Sequence, residues 1–185
     1  MSFRFVSFRF VLLAVLILGG CSAARRENSP PYAAIATIQE LMLTQIDPSA
    51  DFLWAAVAST STAAGFEEKQ PRTDEEWSVV RANALTLIES TNLLMLPGRR
   101  VATPGVKTAD ADRPGIQAPA AIQEAIDRDR AAFIRLAENL RVTGLKALAA
   151  ADRRDSQALF DIGGEIDKAC EQCHLKYWYP DPVTR

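Results

Sequence analysis

TDEEWSVVRANALTLIESTNLLMLPG, residues 73–98, reads as one helix from end to end. Thr73 and Glu76 form a capping-box pattern, in which the hydroxyl and the carboxylate each satisfy a backbone amide that lacks an intrahelical partner. Trp77, Val80, Ala84, Leu87, Thr91 and Leu94 then recur at steps of three or four and share one face. Pro97-Gly98 stops the helix.

The same grammar extends in both directions. Upstream, Ile35, Ile38, Met42 and Ile46 form a helical stripe that Asp47-Pro48 ends or kinks. Ser49 is placed to cap a short helix over 49–58, on which Phe52, Leu53 and Val57 share a face. Residues 59–72 (STSTAAGFEEKQPR) read as a loop with room for a short extended piece. Downstream, 97–117 holds three Pro-Gly pairs and no sustained period, which predicts a long loop. A third helix is expected over about 118–151, its buried side marked by Ile122, Ile126, Phe133, Leu136, Leu140, Leu145 and Leu148. After a tight connection at 152–155, a last helix carries Leu159, Ile162, Ile166, Cys170, Cys173 and Tyr177. No segment alternates convincingly as a half-buried strand does. The expected fold is all-α, an antiparallel four-helix bundle.

With 185 residues, 48% apolar and 24% charged, the chain has material for one domain. A net charge of -2 supplies no basic field, so nucleic acid is not an expected partner. The N-terminus pairs Arg4 and Arg9 with an apolar run from Phe10 to Leu18, the pattern of an export signal too short to span a bilayer as a resident helix. Leu18-Gly19-Gly20-Cys21 resembles a bacterial lipobox, with Gly19 departing from the usual Ala or Ser, and implies lipidation at Cys21. The competing reading is an ordinary cleaved signal with an incidental cysteine. Acyl chains on Cys21 would anchor the exported protein to a membrane. Ser22 stands where Asp would favour the inner membrane, so the periplasmic leaflet of the outer membrane is expected. The organisation is a signal at 1–20, a lipidated cysteine and polar tether at 21–31, a helical domain at 32–180 and a tail at 181–185.

The chemistry concentrates in ACEQCHLKYWYP, residues 169–180, which holds two of the three cysteines and the only histidine. Cys170-x-x-Cys173-His174 is the c-type haem attachment pattern. On a helix 170 and 174 lie one above the other with 173 beside them, so both thiols can add to the vinyl groups along one porphyrin edge while the imidazole reaches the iron. Zinc is disfavoured, because Cys170, Cys173 and His174 fall short of the four ligands of a structural site. A thioredoxin-like pair belongs at a helix start after a strand, and an i,i+3 disulfide within one helix staples little.

Four main helices with a single C-terminal CxxCH on the last resemble the cytochrome c′ and cytochrome c556 group over about 32–180. The elements that carry the resemblance are ACEQCHLKYWYP and TIQELMLTQIDPSADFLW, residues 37–54. It implies one covalent haem c, a first helix facing the open side of the iron, Met42 as distal ligand and pairing into homodimers. The residues themselves leave more open. No second histidine exists for a bis-histidine site, and an up-and-down bundle puts both Met42 and Met95 at the haem end. The competing reading of Met42 is a core gap-filler in its apolar stripe, and Met95 is read as core.

Gly163 and Gly164 precede the cysteines by about two turns and read either as space for a close neighbour or as a tolerated bend. Tyr177 and Trp178 are candidates to pack on the haem's proximal side, against ordinary burial at a bundle end. Arg99 and Arg100 are candidates for a haem propionate or an acidic partner, against plain solvation. The leading functional expectation is one-electron transfer with partner proteins of a respiratory chain. A vacant or displaceable distal site binding gases such as nitric oxide is the alternative, and a haem-free structural or redox-sensing lipoprotein the third. No general-base or nucleophile constellation supports an enzyme.

Overall fold

The computed structural model describes residues 32–180 apart from residue 64. The signal, Cys21, the tether and the tail at 181–185 lie outside the described residues. The residues from Ala33 onward form one compact unit.

The chain is mostly helical. A short helix α1 (Ile38–Leu41) passes without a break into a π-helical turn (Met42–Ile46) and then into α2 (Asp47–Ala56). A hairpin of β1 (Ala58–Thr62) and β2 (Gly65–Lys69) follows. The remaining helices are α3 (Asp74–Leu94), α4 (Pro119–Arg128), α5 (Arg130–Arg153) and α6 (Ser156–Tyr177). Among the described residues, no helix is long and apolar enough to cross a membrane.

α3 follows its sequence signals closely. Thr73 caps it with the reciprocal Glu76 contact, and Trp77, Val80, Ala84, Leu87, Thr91 and Leu94 are all buried. α5 lies along α3, α6 along α5, and α2 meets both α3 and α6. Two close approaches set this packing. Gly144 of α5 leaves room for Ile88 of α3, since a Cβ there would stand 2.9 Å from the Ile88 Cγ1. Gly163 of α6 admits the Trp54 ring, whose Nε1 donates to the Gly163 carbonyl at 2.9 Å. Of the two readings for Gly163, the close neighbour is the one found.

Several expectations are corrected. Ile35 lies outside the first helix and is 86% exposed, because the helix starts at a second capping box, Thr37 with Glu40. Of the two readings for Asp47-Pro48 the end is overturned, since proline is tolerated in the first turn of α2, and Ser49 is buried within that helix instead of capping it. The expected third helix is two: Asp129 breaks it with φ -140° and ψ 65°, and its side chain caps α5 by accepting from the Ala132 amide. Leu145 faces outward on α5. The segment after Ala56 is a paired hairpin. β2 is exposed along its whole length, so the alternation that marks a half-buried strand was never there to read.

The 97–117 loop is a built wall. Each of its Pro-Gly pairs places the glycine at positive φ, at Gly98, Gly105 and Gly115. The Arg100 and Val101 carbonyls accept from the free Ile38 and Gln39 amides at the start of α1. At its far end the Gln117 amide donates to the Trp178 carbonyl, and the Trp178 Nε1 donates to Ala109. The loop therefore ties the first helix to the end of α6.

Candidate functional site

α6 runs unbroken from its Asp155 cap through Cys170, Cys173 and His174, so these three side chains are fixed on its last turns. All three are partly buried, and both cysteines are free thiols. Burial, with the Asp47 carboxylate adding to it, pushes the Cys170 thiol up to about 12. Burial pushes the Cys173 thiol up to about 11. Both are protonated at neutral pH, which argues against a redox-active thiolate pair. Burial also lowers the His174 imidazole against the opposing pull of Glu171, and this favours the neutral form that ligates metals.

Two adjoining cavities border these residues. The larger, about 110 Å³, is walled by Ile38, Val101, Ile122, Ile126 and Phe133 together with Met42, Cys173, His174, Tyr177 and Trp178. The smaller, about 20 Å³, is bordered by Met42, Phe133, Leu140, Cys170, Cys173 and His174. Met42 and His174 thus line both, brought together from opposite ends of the domain's sequence. Met95 borders neither; it ends α3, and its carbonyl accepts from Arg130 at 2.9 Å.

Aromatic residues close the far side. Trp178 stands edge-on to the His174 ring at 4.9 Å, and Tyr177 packs edge-on to Phe133 at 5.7 Å. Tyr179 anchors the end of the helix by donating its hydroxyl to Glu171 at 2.6 Å. Arg99 is neither solvated nor available to a propionate: it is 5% exposed and donates to the Leu93 and Ala36 carbonyls. Arg100 is exposed.

The donor set suits a flat apolar group that brings its own metal. Thiols and a neutral imidazole share one turn, a thioether shares the cavity, and the walls are mostly aliphatic and aromatic, with Asp47, Gln39 and Thr108 the polar side chains among them. The Tyr177 hydroxyl is buried with no hydrogen-bond partner, an orphan a polar edge of such a group would satisfy. Among the described residues, no three His, Cys, Asp or Glu side chains converge as a protein-only metal site requires. The sequence reading missed Val101, Thr108 and Ala109 as site walls, which nothing local marks, and gave Ile122 only as part of the buried side of its helix.

No protein-family model, curated protein or solved structure matches the chain.

Proposed function

We propose that the chain is an exported c-type cytochrome that carries one covalent haem c and transfers single electrons while held to a membrane through lipid on Cys21. In this reading α1 with α2, α3, α4 with α5, and α6 are the four arms of an antiparallel cytochrome c′-like bundle, which the lateral pairing of α2, α3, α5 and α6 supports. The observation that carries the function is the meeting of Cys170, Cys173 and His174 with Met42 around one apolar cavity.

Cys170 and Cys173 would hold the porphyrin by adding S–H across its vinyl groups, and His174 would take the iron's proximal side with Met42 on the distal side. The haem would supply a one-electron couple. The chain's own contribution is to keep the imidazole neutral, hold it edge-on to Trp178 and exclude water with Ile122, Ile126 and Phe133. A thioether favours the reduced metal and raises the potential. Partners are expected to be other redox proteins of a respiratory chain, and a homodimer is compatible with this role. No catalytic residue is proposed.

Pyridine haemochrome analysis and intact mass of protein matured in an exporting host test the reading. One haem per chain, retained after denaturation and lost in Cys170→Ser with Cys173→Ser, is expected. A colourless product of bare polypeptide mass overturns it. The ferric spectrum then separates electron transfer from gas binding, because methionine ligation gives a weak near-infrared-edge band that five-coordinate haem lacks.

A further inference from the structure

Between Leu41 and Ile46 the first helix changes its step. Both residues are 1% exposed, yet they lie five positions apart, where an α-helix would return to the same face after three or four. In an unbroken α-helix the buried line would run Ile38, Met42, Ile46, and the thioether would sit in the core. The π turn absorbs one extra residue, so Leu41 takes the core position and Met42, only partly buried, borders the two cavities with His174.

Local chemistry permits this widening. Pro48 has no amide to offer the Thr44 carbonyl, so the α ladder is interrupted at this point in any case. The Asp47 amide reaches back five residues to the Met42 carbonyl, and the Thr44 hydroxyl donates to the Glu40 carbonyl at 2.6 Å. Ile46 ties the turn to the core, and Gln45 ties it to α3 by a hydrogen bond, its Oε1 accepting from the Ser90 hydroxyl at 2.8 Å. Ser90 is fully buried on α3, amid the helix's apolar face. Leucine and methionine are close in volume, so exchanging Leu41 for Met42 in the core costs little by itself. A single partly buried hydrogen bond is then enough to bias which of the two faces the cavity.

We propose that the π turn Met42–Ile46, latched to α3 by the Ser90–Gln45 hydrogen bond, holds Met42 out of the core line and in the cavity it shares with His174. Gln45 and Ser90 are thereby positioning residues for the distal iron ligand. This rests on the haem reading above, and the test separates the two.

The test uses haem-loaded protein: wild type, Gln45→Leu, Gln45→Glu, Ser90→Ala and Met42→Ala. Haem content, far-ultraviolet circular dichroism, the ferric near-infrared-edge band and the midpoint potential are measured for each. Haem content and helicity should match wild type in the Gln45 and Ser90 variants, since these residues border neither cavity. The band should vanish in Met42→Ala and fall by most of its intensity in Gln45→Leu and Ser90→Ala, with a lowered potential. It should persist in Gln45→Glu, whose carboxylate still accepts from Ser90. A wild-type band that survives in Gln45→Leu and Ser90→Ala overturns the latch. Haem without the band in wild type overturns the placement of Met42 and the latch with it, leaving covalent haem standing. Absence of haem from wild type overturns the haem reading itself, and the latch falls with it.

Discussion

Replacing Gly144 by alanine sets two opposed effects against each other at the contact between α3 and α5. Alanine is favoured over glycine inside a helix by about 1 kcal/mol. The new methyl, however, would stand 2.9 Å from Ile88 Cγ1, with the Leu87 Cδ2 at 3.8 Å behind it. Ile88 is 6% exposed and has little space to retreat. Overpacking of this kind costs about 1–3 kcal/mol, so Gly144→Ala should be destabilising by about 1 kcal/mol net. For a domain of this size that lowers Tm by about 3 °C. Ile88→Ala alone should lose about 2–5 kcal/mol through the cavity it leaves. In that background the clash is gone, and Gly144→Ala should stabilise by about 1 kcal/mol, a favourable coupling of about 2 kcal/mol. Urea denaturation of the four proteins of this double-mutant cycle measures it. If Gly144→Ala stabilises both backgrounds by the same amount within about 0.5 kcal/mol, the close approach of α5 to α3 is wrong.

Two further outcomes follow from ionisable groups. The Arg72 and Thr73 amides donate to the Glu76 carboxylate and hold its pKa below the ordinary value. Its contribution is therefore complete above the unfolded-state pKa and is lost as pH falls through the lower folded-state value. Glu76→Gln should flatten the acid limb of a Tm-against-pH profile, and an unchanged limb would contradict the capping box. The Cys170 and Cys173 thiols, pushed to about 12 and about 11 by burial, should react far more slowly with an aromatic disulfide at pH 8 in folded haem-free chain than in denaturant. Equal rates in the two states would remove the buried-thiol description.

The sequence was most legible where one element's own residues settle its form. α3 announces its start through Thr73 and Glu76 and its buried side through six apolar or small residues in step, and the structure places each of them there. The start of α1 is equally written in Thr37 and Glu40, although Ile35 continues the same apolar stripe one turn upstream. The break at Asp129 was harder, because an aspartate caps a helix or rides its surface with the same neighbours on either side. Within the site, the grouping of Cys170, Cys173 and His174 is a matter of helical spacing alone. The choice between Met42 and Met95 is not, since both stand in apolar helical patterns.

By itself, then, the sequence determined which segments are helical, where the two thiols and the lone histidine sit relative to one another, and which face of α3 is buried. Those are properties of spacing within one helix, set by the repeat of the backbone. Tertiary structure alone decided that the Pro-Gly loop walls the cavity, that Arg99 serves main-chain carbonyls, and that Met42 leaves the core line while Leu41 enters it. Each depends on partners far along the chain, as Ser90 is from Gln45, and on the competition of similar side chains for one space, which only the packed fold resolves.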